Sequence, residues 1–184
     1  MSSNLSYSDL TTARWKSDSQ VDWRSMLYTT GVTRGRRLVL IDIENIVGGG
    51  VEKPVQVFAA QAALTAAIGQ RPDDHIILGC GRFSVAVVGF EWKGSPRLVF
   101  RAGRDGADLA LLDVLETERV GERFSEVVLV SGDGIFAEAV SRLGGEGVGV
   151  TVVSRPEACA RTLRMASAQT LDLAYDVDSF QEAA

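Results

Sequence analysis

From Arg37 onward, short apolar runs rich in Val, Ile and Leu alternate with longer stretches of helical periodicity. Strands of a parallel sheet are buried on both faces, and each needs a crossover, usually a helix, before the next strand. The alternation therefore predicts an α/β fold, with three α/β/α layers around a mainly parallel, roughly five-stranded, Rossmann-like sheet. We expect strands near 37–42, 75–80, 97–101, 126–131 and 148–153, and helices near 55–68, 106–119, 134–143 and 157–167.

Residues 82–92 fit two kinds of structure. The run Val85-Ala86-Val87-Val88 suits a strand as well as it suits a buried helix. The apolar stretch 85–90 also fits either an interface between two copies of the chain or the core of one copy. A homodimer is therefore one of the expectations, and both alternatives stay open.

The chain has 184 residues and 46% hydrophobic content, which suits one globular domain. Residues 1–33 are rich in Ser and Thr and lack sustained apolar periodicity, so we expect a flexible or partner-docking N-terminal arm. Its residues Trp15 and Trp23 favour a short helix that docks on the domain itself or on a protein partner. Residues 34–175 are predicted to form the domain, and 176–184 a C-terminal tail.

The formal net charge is -5, which argues against a protein that coats nucleic acid nonspecifically and leaves RNA binding through a local basic strip open. Cys80 and Cys159 lack metal-site or CxxC spacing, so we expect two buried thiols. Neither a signal sequence nor a run of about 20 apolar residues is found. We therefore expect a cytoplasmic protein with no membrane partner.

Three acidic motifs follow predicted strands or begin a predicted helix. Open α/β sheets place their binding sites at the carboxyl ends of the strands, and carboxylates that converge there suit a hard metal ion. Each acid also has a plainer interpretation, since Asp and Asn commonly cap the turn or helix that follows them. The motifs are Asp42-Ile43-Glu44-Asn45, Asp105-Gly106-Ala107-Asp108 and Ser131-Gly132-Asp133.

Asp108 gives the sharpest local argument. At 100° per residue it falls among Leu111, Leu112 and Leu115, on the apolar face of the predicted helix. A buried carboxylate without a partner costs several kcal/mol or takes up a proton, so Asp108 needs a partner, and a metal ion would serve. The alternative is a first-turn acid that the helix dipole favours and that turns toward solvent. Asp105 either faces the same cleft or caps this helix, and it ranks below Asp108.

The three motifs resemble those of NYN domains in the PIN-like superfamily of metal-dependent ribonucleases. That family's pattern is Asp-x-x-Asn after the first strand, Gly-x-Asp at a helix start and Ser-Gly-Asp-x-Asp-Phe after the fourth strand. The resemblance covers roughly residues 37 to 155 and implies a PIN-like sheet. In the third motif Ile135 replaces the family's second acid, so this motif is degenerate. The matching segments are Asp42-Ile43-Glu44-Asn45, Gly106-Ala107-Asp108 and Ser131-Gly132-Asp133-Gly134-Ile135-Phe136.

The resemblance implies a ribonuclease that hydrolyses phosphodiester bonds of single-stranded RNA with Mg²⁺ or Mn²⁺, and single-stranded or structured RNA as its partner. Asn45 would orient the attacking water or a phosphate oxygen. The alternative is a weakened or inactive NYN/PIN-like module that binds RNA or a protein, which Ile135 favours. The implied metal ligands are Asp42, Asp108 and Asp133, with Asp105 as a further candidate. The implied RNA-binding residues are Arg82, Arg101, Arg104 and Ser131.

Other nucleotide-binding patterns are weaker. Gly79-Cys80-Gly81-Arg82-Phe83-Ser84 nearly matches the GxGxxG dinucleotide loop, but it ends in Ser and follows the second predicted strand. The sequence has no GxxxxGK[ST] phosphate loop. His75 is the only histidine, so a mechanism with a histidine base or a histidine-bound zinc is poorly supported.

Overall fold

The computed structural model describes residues 35–178. At its centre lies a six-stranded sheet in the order β3-β2-β1-β4-β5-β6. Every neighbouring pair of strands is parallel, which confirms the predicted α/β class. The strands are β1 Arg37–Asp42, β2 His75–Gly81, β3 Arg97–Arg101, β4 Glu126–Val130, β5 Gly149–Ser154 and β6 Gln169–Asp172.

Helices connect these strands and cover both faces of the sheet. Two 3-10 turns, Gly134–Phe136 and Pro156–Ala158, precede the last two helices. The helices are α1 Ile43–Val47, α2 Pro54–Ile68, α3 Val85–Glu91, α4 Gly106–Thr117, α5 Val120–Arg123, α6 Ala137–Gly145 and α7 Arg161–Ala166.

Successive residues of β1 enter different cores, because strand side chains alternate between the two faces of a sheet. Leu38 and Leu40 pack with residues of α4, α6 and α7, whereas Val39 and Ile41 pack with residues of α1, α2 and α3. All six residues of β1 are buried. The predicted three-layer arrangement is therefore confirmed, with β1 in its middle.

The short elements differ from the sequence prediction. The edge strand β6 has four residues and a partly buried pattern, so it lacks the apolar run that marks the inner strands, and the sheet has six strands where about five were expected. Residues 85–91 form helix α3, which resolves the ambiguity of this stretch. The predicted helix 157–167 is a 3-10 turn followed by α7, because Ala160 N donates to the Gly132 carbonyl at the break between them.

The predicted N-terminal arm, residues 1–33, lies outside the described residues, as do residues 179–184 of the predicted tail. These two predictions and the domain boundaries stay predictions. Between residues 35 and 178, none of the helices is both long enough and apolar enough to cross a membrane.

Two glycines allow helix α4 to lie close to the sheet. A Cβ built on Gly79 of β2 would stand 2.6 Å from Leu111 Cγ, and Leu111 is completely buried. A Cβ on Gly106, the first residue of α4, would overlap the carbonyl oxygen of Arg101. These close approaches fix the first turn of α4 and with it the position of Asp108.

We expect Gly79→Ala to lower the free energy of unfolding by about 1–3 kcal/mol, because the added methyl group forces α4 away from β2. Urea denaturation of the purified protein measures this change. Gly144→Ala is the matched control, since its Cβ would enter open space on α6 and is expected to stabilise by about 0.4–1 kcal/mol. Equal stability of the parent and Gly79→Ala would show that α4 does not depend on this contact.

Candidate functional site

The candidate site lies where the strand order reverses. The chain moves outward from β1 to β3 and then returns to β4, on the other side of β1. Ligands of open α/β sheets bind in the crevice that such a reversal leaves at the carboxyl ends of the strands. Ile41 pairs with Val130, so Asp42 and Ser131 follow at the same level of the sheet. The Ser131 hydroxyl donates to Asp42 Oδ2 over 3.2 Å, and the first and third motifs therefore meet.

Further hydrogen bonds join the first motif to the third. Asn45 Oδ1 accepts a hydrogen bond of 2.9 Å from Gly132 N. Asp42 Oδ1 accepts from Asn45 N at 3.1 Å and caps α1, so the plainer capping role of Asp42 is also present. Only glycine fits at position 132, because a Cβ there would overlap the carbonyl oxygen of Ala158.

Asp42 and Asp108 face each other between β1 and α4. Asp42 continues the alternation of Leu38 and Leu40, which places its side chain on the α4 side of the sheet. It is 3% exposed, and burial raises the pKa of Asp42 to about 8, with the charge of Asp108 as the next cause. Burial also raises the pKa of Asp108, while the neighbouring Asp42 carboxyl acts in the opposite direction. Asp42 therefore keeps its proton at neutral pH, next to Asp108.

One oxygen of this pair has no partner. Asp108 Oδ1 is buried, and no group in residues 35–178 forms a hydrogen bond with it. A buried polar atom left unsatisfied costs about 1–3 kcal/mol, and more when it is charged. Carboxylate oxygens are the ligands that Mg²⁺ prefers, and Mg²⁺ often binds through one or two carboxylates plus waters and substrate phosphates. The residues present therefore fit a magnesium or manganese ion held by Asp42 and Asp108.

The other two predicted ligands stand apart from this pair. Asp133 is exposed, and its Oδ1 accepts from Ile135 N at 2.9 Å as the cap of the 3-10 turn. Asp105 is exposed at the start of α4 and makes no side-chain capping bond. Across the described range 35–178, no three His, Cys, Asp or Glu side chains are grouped closely enough to hold a metal ion. The structure thus brings two of the four acids together, and the roles of Asp133 and Asp105 stay predictions.

A cleft of about 670 Å³ opens beside the carboxylate pair. Its lining includes Asp42, Asp108, Asp105 and Asn45, and two of the predicted RNA-binding arginines, Arg82 and Arg104. The other two predicted RNA-binding residues lie outside this lining. Arg101 is exposed on the edge strand β3, and Ser131 is buried under Asp42 as a hydrogen-bond donor.

Two side chains of this cleft were not predicted as functional from the sequence. Glu44 Oε1 accepts hydrogen bonds from Ser84 Oγ at 2.5 Å and from Gly81 N at 3.1 Å. Phe83 lines the cleft and is 89% exposed. The sequence feature that could have indicated both side chains is the Gly81–Ser84 turn, which follows a strand at the same edge of the sheet as the acidic motifs. Glu44 is bonded to the two ends of this turn, and Phe83 lies within it.

Cys80 lies close to the acidic site but is poorly suited to act as a nucleophile. Burial raises the pKa of Cys80 to about 12, and the charges of Glu44 and Asp42 act in the same direction. A thiol with this pKa stays protonated at neutral pH and is unreactive. Both cysteines are free; Cys80 is buried, as predicted, whereas Cys159 is only partly buried.

The fold and the facing carboxylates define an α/β domain with an acidic site at the switch point of a parallel sheet. The model of the NYN domain family matches residues 36–174. The chain belongs to the NYN domain family, a group of nuclease-like domains, and the resemblance seen in the three motifs is confirmed.

Two known proteins are similar to this chain. The Low amplitude and bright protein LabA of Synechococcus elongatus (strain ATCC 33912 / PCC 7942 / FACHB-805) is 38% identical over 76 residues, which are 41% of this chain and 40% of LabA. The chain thus matches about two fifths of the length of this relative. A protein of unknown function from Vibrio parahaemolyticus RIMD 2210633 has a crystal structure with a TM-score of 0.47 and 18% identity, covering 78% of this chain and 96% of that one.

The raised pKa of Asp42 predicts a pH-dependent stability. The folded protein keeps a proton up to about pH 8 that the unfolded chain releases near its ordinary pKa of 3.8. The stability from this proton is complete below pH 4 and is lost as the pH rises to 8. Asp42→Asn removes the charge, and its Oδ1 still accepts from Asn45 N. We therefore expect this variant to melt at least about 3 °C above the parent at pH 8 in EDTA.

Thermal melts of both proteins from pH 4 to pH 8 measure the effect. The difference between them should shrink toward zero as the pH falls to 4, because Asp42 of the unfolded parent then begins to take up a proton as well. A difference that stays constant over this range would contradict the raised pKa.

Proposed function

We propose that this domain is a metal-dependent ribonuclease that hydrolyses phosphodiester bonds of single-stranded RNA in the cleft. The observation that supports it most is the facing of Asp42 and Asp108 at the switch point, with one buried carboxylate oxygen unsatisfied. A buried carboxyl group that faces a second, partly buried one is costly for a fold, and a cation bound between them would offset this cost. A site of this kind suits a function more than a structural role.

Asp42 and Asp108 hold the cation in this proposal, and Asp133 adds negative charge from outside the pair, as its effect on the pKa of Asp108 indicates. A bound Mg²⁺ or Mn²⁺ supplies a Lewis acid that neutralises charge on the phosphate and lowers the pKa of a water ligand. Ser131 keeps Asp42 oriented through its hydroxyl. Asp42 must release its proton for the cation to bind, so binding strengthens as the pH rises.

The remaining residues of the cleft position the RNA. The amide oxygen of Asn45 is bonded to Gly132 N, so its amino group is the part that can donate to a phosphate oxygen or a water. Arg82 and Arg104 line the same cleft and offer guanidinium groups to the backbone. Arg101 is the weakest of the proposed RNA-binding residues because it lies outside the lining.

The second candidate is a module that binds RNA or a protein without cutting. The specific observation in its favour is that Asp133 is engaged as a cap while Ile135 stands where the family has another acid. The described residues therefore offer two close carboxylates and no third. An assay of cleavage distinguishes the two candidates.

We expect Asp42→Asn and Asp108→Asn each to lower the rate of cleavage of a labelled single-stranded RNA in Mn²⁺ at least about 100-fold, because each removes a charged ligand of the cation. Asp113→Asn is the matched control, since Asp113 is exposed on the same helix but outside the cleft lining. Its rate should equal that of the parent. Cleavage that continues in EDTA, or in both cleft variants, would contradict the proposed site.

Metal binding has a readout apart from cleavage. A cation at a hundredfold excess over its dissociation constant stabilises the folded protein by about 2.7 kcal/mol. We expect Mn²⁺ to raise the melting temperature of the parent and of Asp113→Asn, and to leave Asp108→Asn unchanged. A parent without this shift, and without cleavage, would favour the binding module.

Asp133 is tested by two substitutions that separate its cap from its charge. Asp133→Asn keeps an oxygen for Ile135 N, so we expect the melting temperature to stay close to the parent while cleavage falls. Asp133→Ala also removes the cap and should cost about 1 kcal/mol of stability. If Asp133→Asn cuts as fast as the parent, Asp133 is a cap and no more.

A further inference from the structure

Phe83 is the most exposed large apolar side chain in residues 35–178, with 89% of its surface in contact with solvent. It stands in the turn between β2 and α3 and lines the same cleft as Asp42 and Asp108. Single exposed apolar residues are common on protein surfaces and need no function. Phe83 differs because of how its turn is held and what lies beside it.

The turn that presents Phe83 is fixed from several sides. Glu44 accepts hydrogen bonds from Gly81 N and Ser84 Oγ, the two ends of the turn. Ser84 is buried, and its hydroxyl oxygen also accepts from Val51 N at 3.0 Å. A Cβ on Gly81 would stand 2.8 Å from Glu44 Oε1 and would displace the carboxylate that holds the turn. The tip of the turn is thus exposed while its base is buried and hydrogen-bonded, which is a preorganised arrangement for binding.

Arg82 accompanies Phe83 at this tip. The Arg82 guanidinium carbon lies 5.2 Å from the centre of the Phe83 ring, and Arg82 is exposed and lines the cleft. An aromatic ring next to a guanidinium is the combination with which proteins bind single-stranded nucleic acid, because the ring stacks on a base and the cation binds a phosphate.

The charge of the cleft makes such a contact useful. The cleft is lined by several acidic side chains, among them Glu44 and Asp105, whose negative charge repels the phosphate backbone, and the whole chain carries a net charge of -5. Electrostatic attraction to the backbone is therefore a weak source of affinity for RNA here. Stacking on a base does not depend on charge, and every base has a face that can stack.

We propose that Phe83 is a stacking platform for one unpaired base of the RNA, with Arg82 binding a neighbouring phosphate, so that the cleft selects single-stranded over double-stranded RNA. This inference rests on the proposed function. Duplex RNA keeps its bases stacked on one another and offers none to the ring. Phe83 is therefore a specificity-determining residue of the cleft rather than a ligand of the cation.

The first test is binding of a fluorescently labelled single-stranded RNA, followed by anisotropy in EDTA so that no cleavage occurs. We expect Phe83→Ala to raise the dissociation constant roughly 10-fold or more, and Phe83→Trp to keep it near the parent value. Phe90→Ala is the matched control, because Phe90 is 85% exposed on α3 but does not line the cleft. Equal affinity of Phe83→Ala and the parent, or no binding by the folded parent, would overturn the proposal.

A second test removes the base instead of the ring. A set of RNAs, each with one abasic nucleotide at a different position, should contain one that binds the parent about 10-fold more weakly than the intact RNA. Phe83→Ala should bind this abasic RNA almost as tightly as the intact RNA. In a double-mutant cycle, the loss of the base has little further effect once the ring that stacks on it has been removed. Equal losses for parent and variant at every position would show that Phe83 touches no base.

These results separate the stacking platform from the ribonuclease. Binding that depends on Phe83, in a protein that does not cut RNA in Mn²⁺, overturns the proposed ribonuclease activity and retains the stacking platform. Metal-dependent cutting with a KM that is the same for Phe83→Ala and the parent overturns the platform alone. Stronger binding of duplex than of single-stranded RNA overturns the proposed selectivity.

Discussion

The parallel pairing of β1 on both of its edges is the constraint on which the site depends. β1 bonds to β2 on one side and to β4 on the other, and all six of its residues are buried. A slip of one residue in either register would exchange the two faces of the strand and expose its apolar side chains to the wrong layer. The position of Asp42 at the end of β1 is therefore determined by the whole core and not by local turn geometry.

This constraint places Asp42 in an environment that is unfavourable for a carboxylate. The same alternation that buries Leu38 and Leu40 under α4 brings Asp42 to the first turn of that helix, opposite Asp108. Gly79 and Gly106 let the helix approach the sheet closely, which brings the two acids together. The raised pKa of Asp42 is the consequence. Such a strained arrangement suits a site that is completed by a ligand.

Much of this could be predicted from the sequence, because it follows from periodicity. The five longer strands are apolar runs, and the inward position of Asp108 follows from its spacing to Leu111 and Leu115 on one helix face. The helices and strand that were missed, β6, α1 and α5, are four or five residues long and have too few positions to show a period.

The contacts that were missed depend on tertiary structure. The bond from Gly132 N to Asn45 crosses from one motif to another, and the exposure of Phe83 depends on how Glu44 holds its turn. No local pattern specifies which side chains will meet across a sheet edge. Arg101 was correctly predicted to lie at the end of a strand, but a strand end alone does not place a side chain in the cleft. β3 is the edge strand, and Arg101 lies outside the cleft lining.

Ile135, which stands where the third motif of the family has a second acid, affects the chemistry of the site and not the fold. Ile135 is 39% exposed, and it contributes its backbone N–H to the cap by Asp133, a contact that any residue other than proline can make. The fold therefore places no strong demand on this side chain, and the domain stays intact whether or not an acid stands here. Asp42 differs in this respect, because its carboxylate oxygens accept from Asn45 N and Ser131 Oγ and hold two motifs together. An acid that supports the structure thus stands at position 42, whereas an isoleucine stands at position 135, where the hydrogen bonds of the fold involve only the backbone.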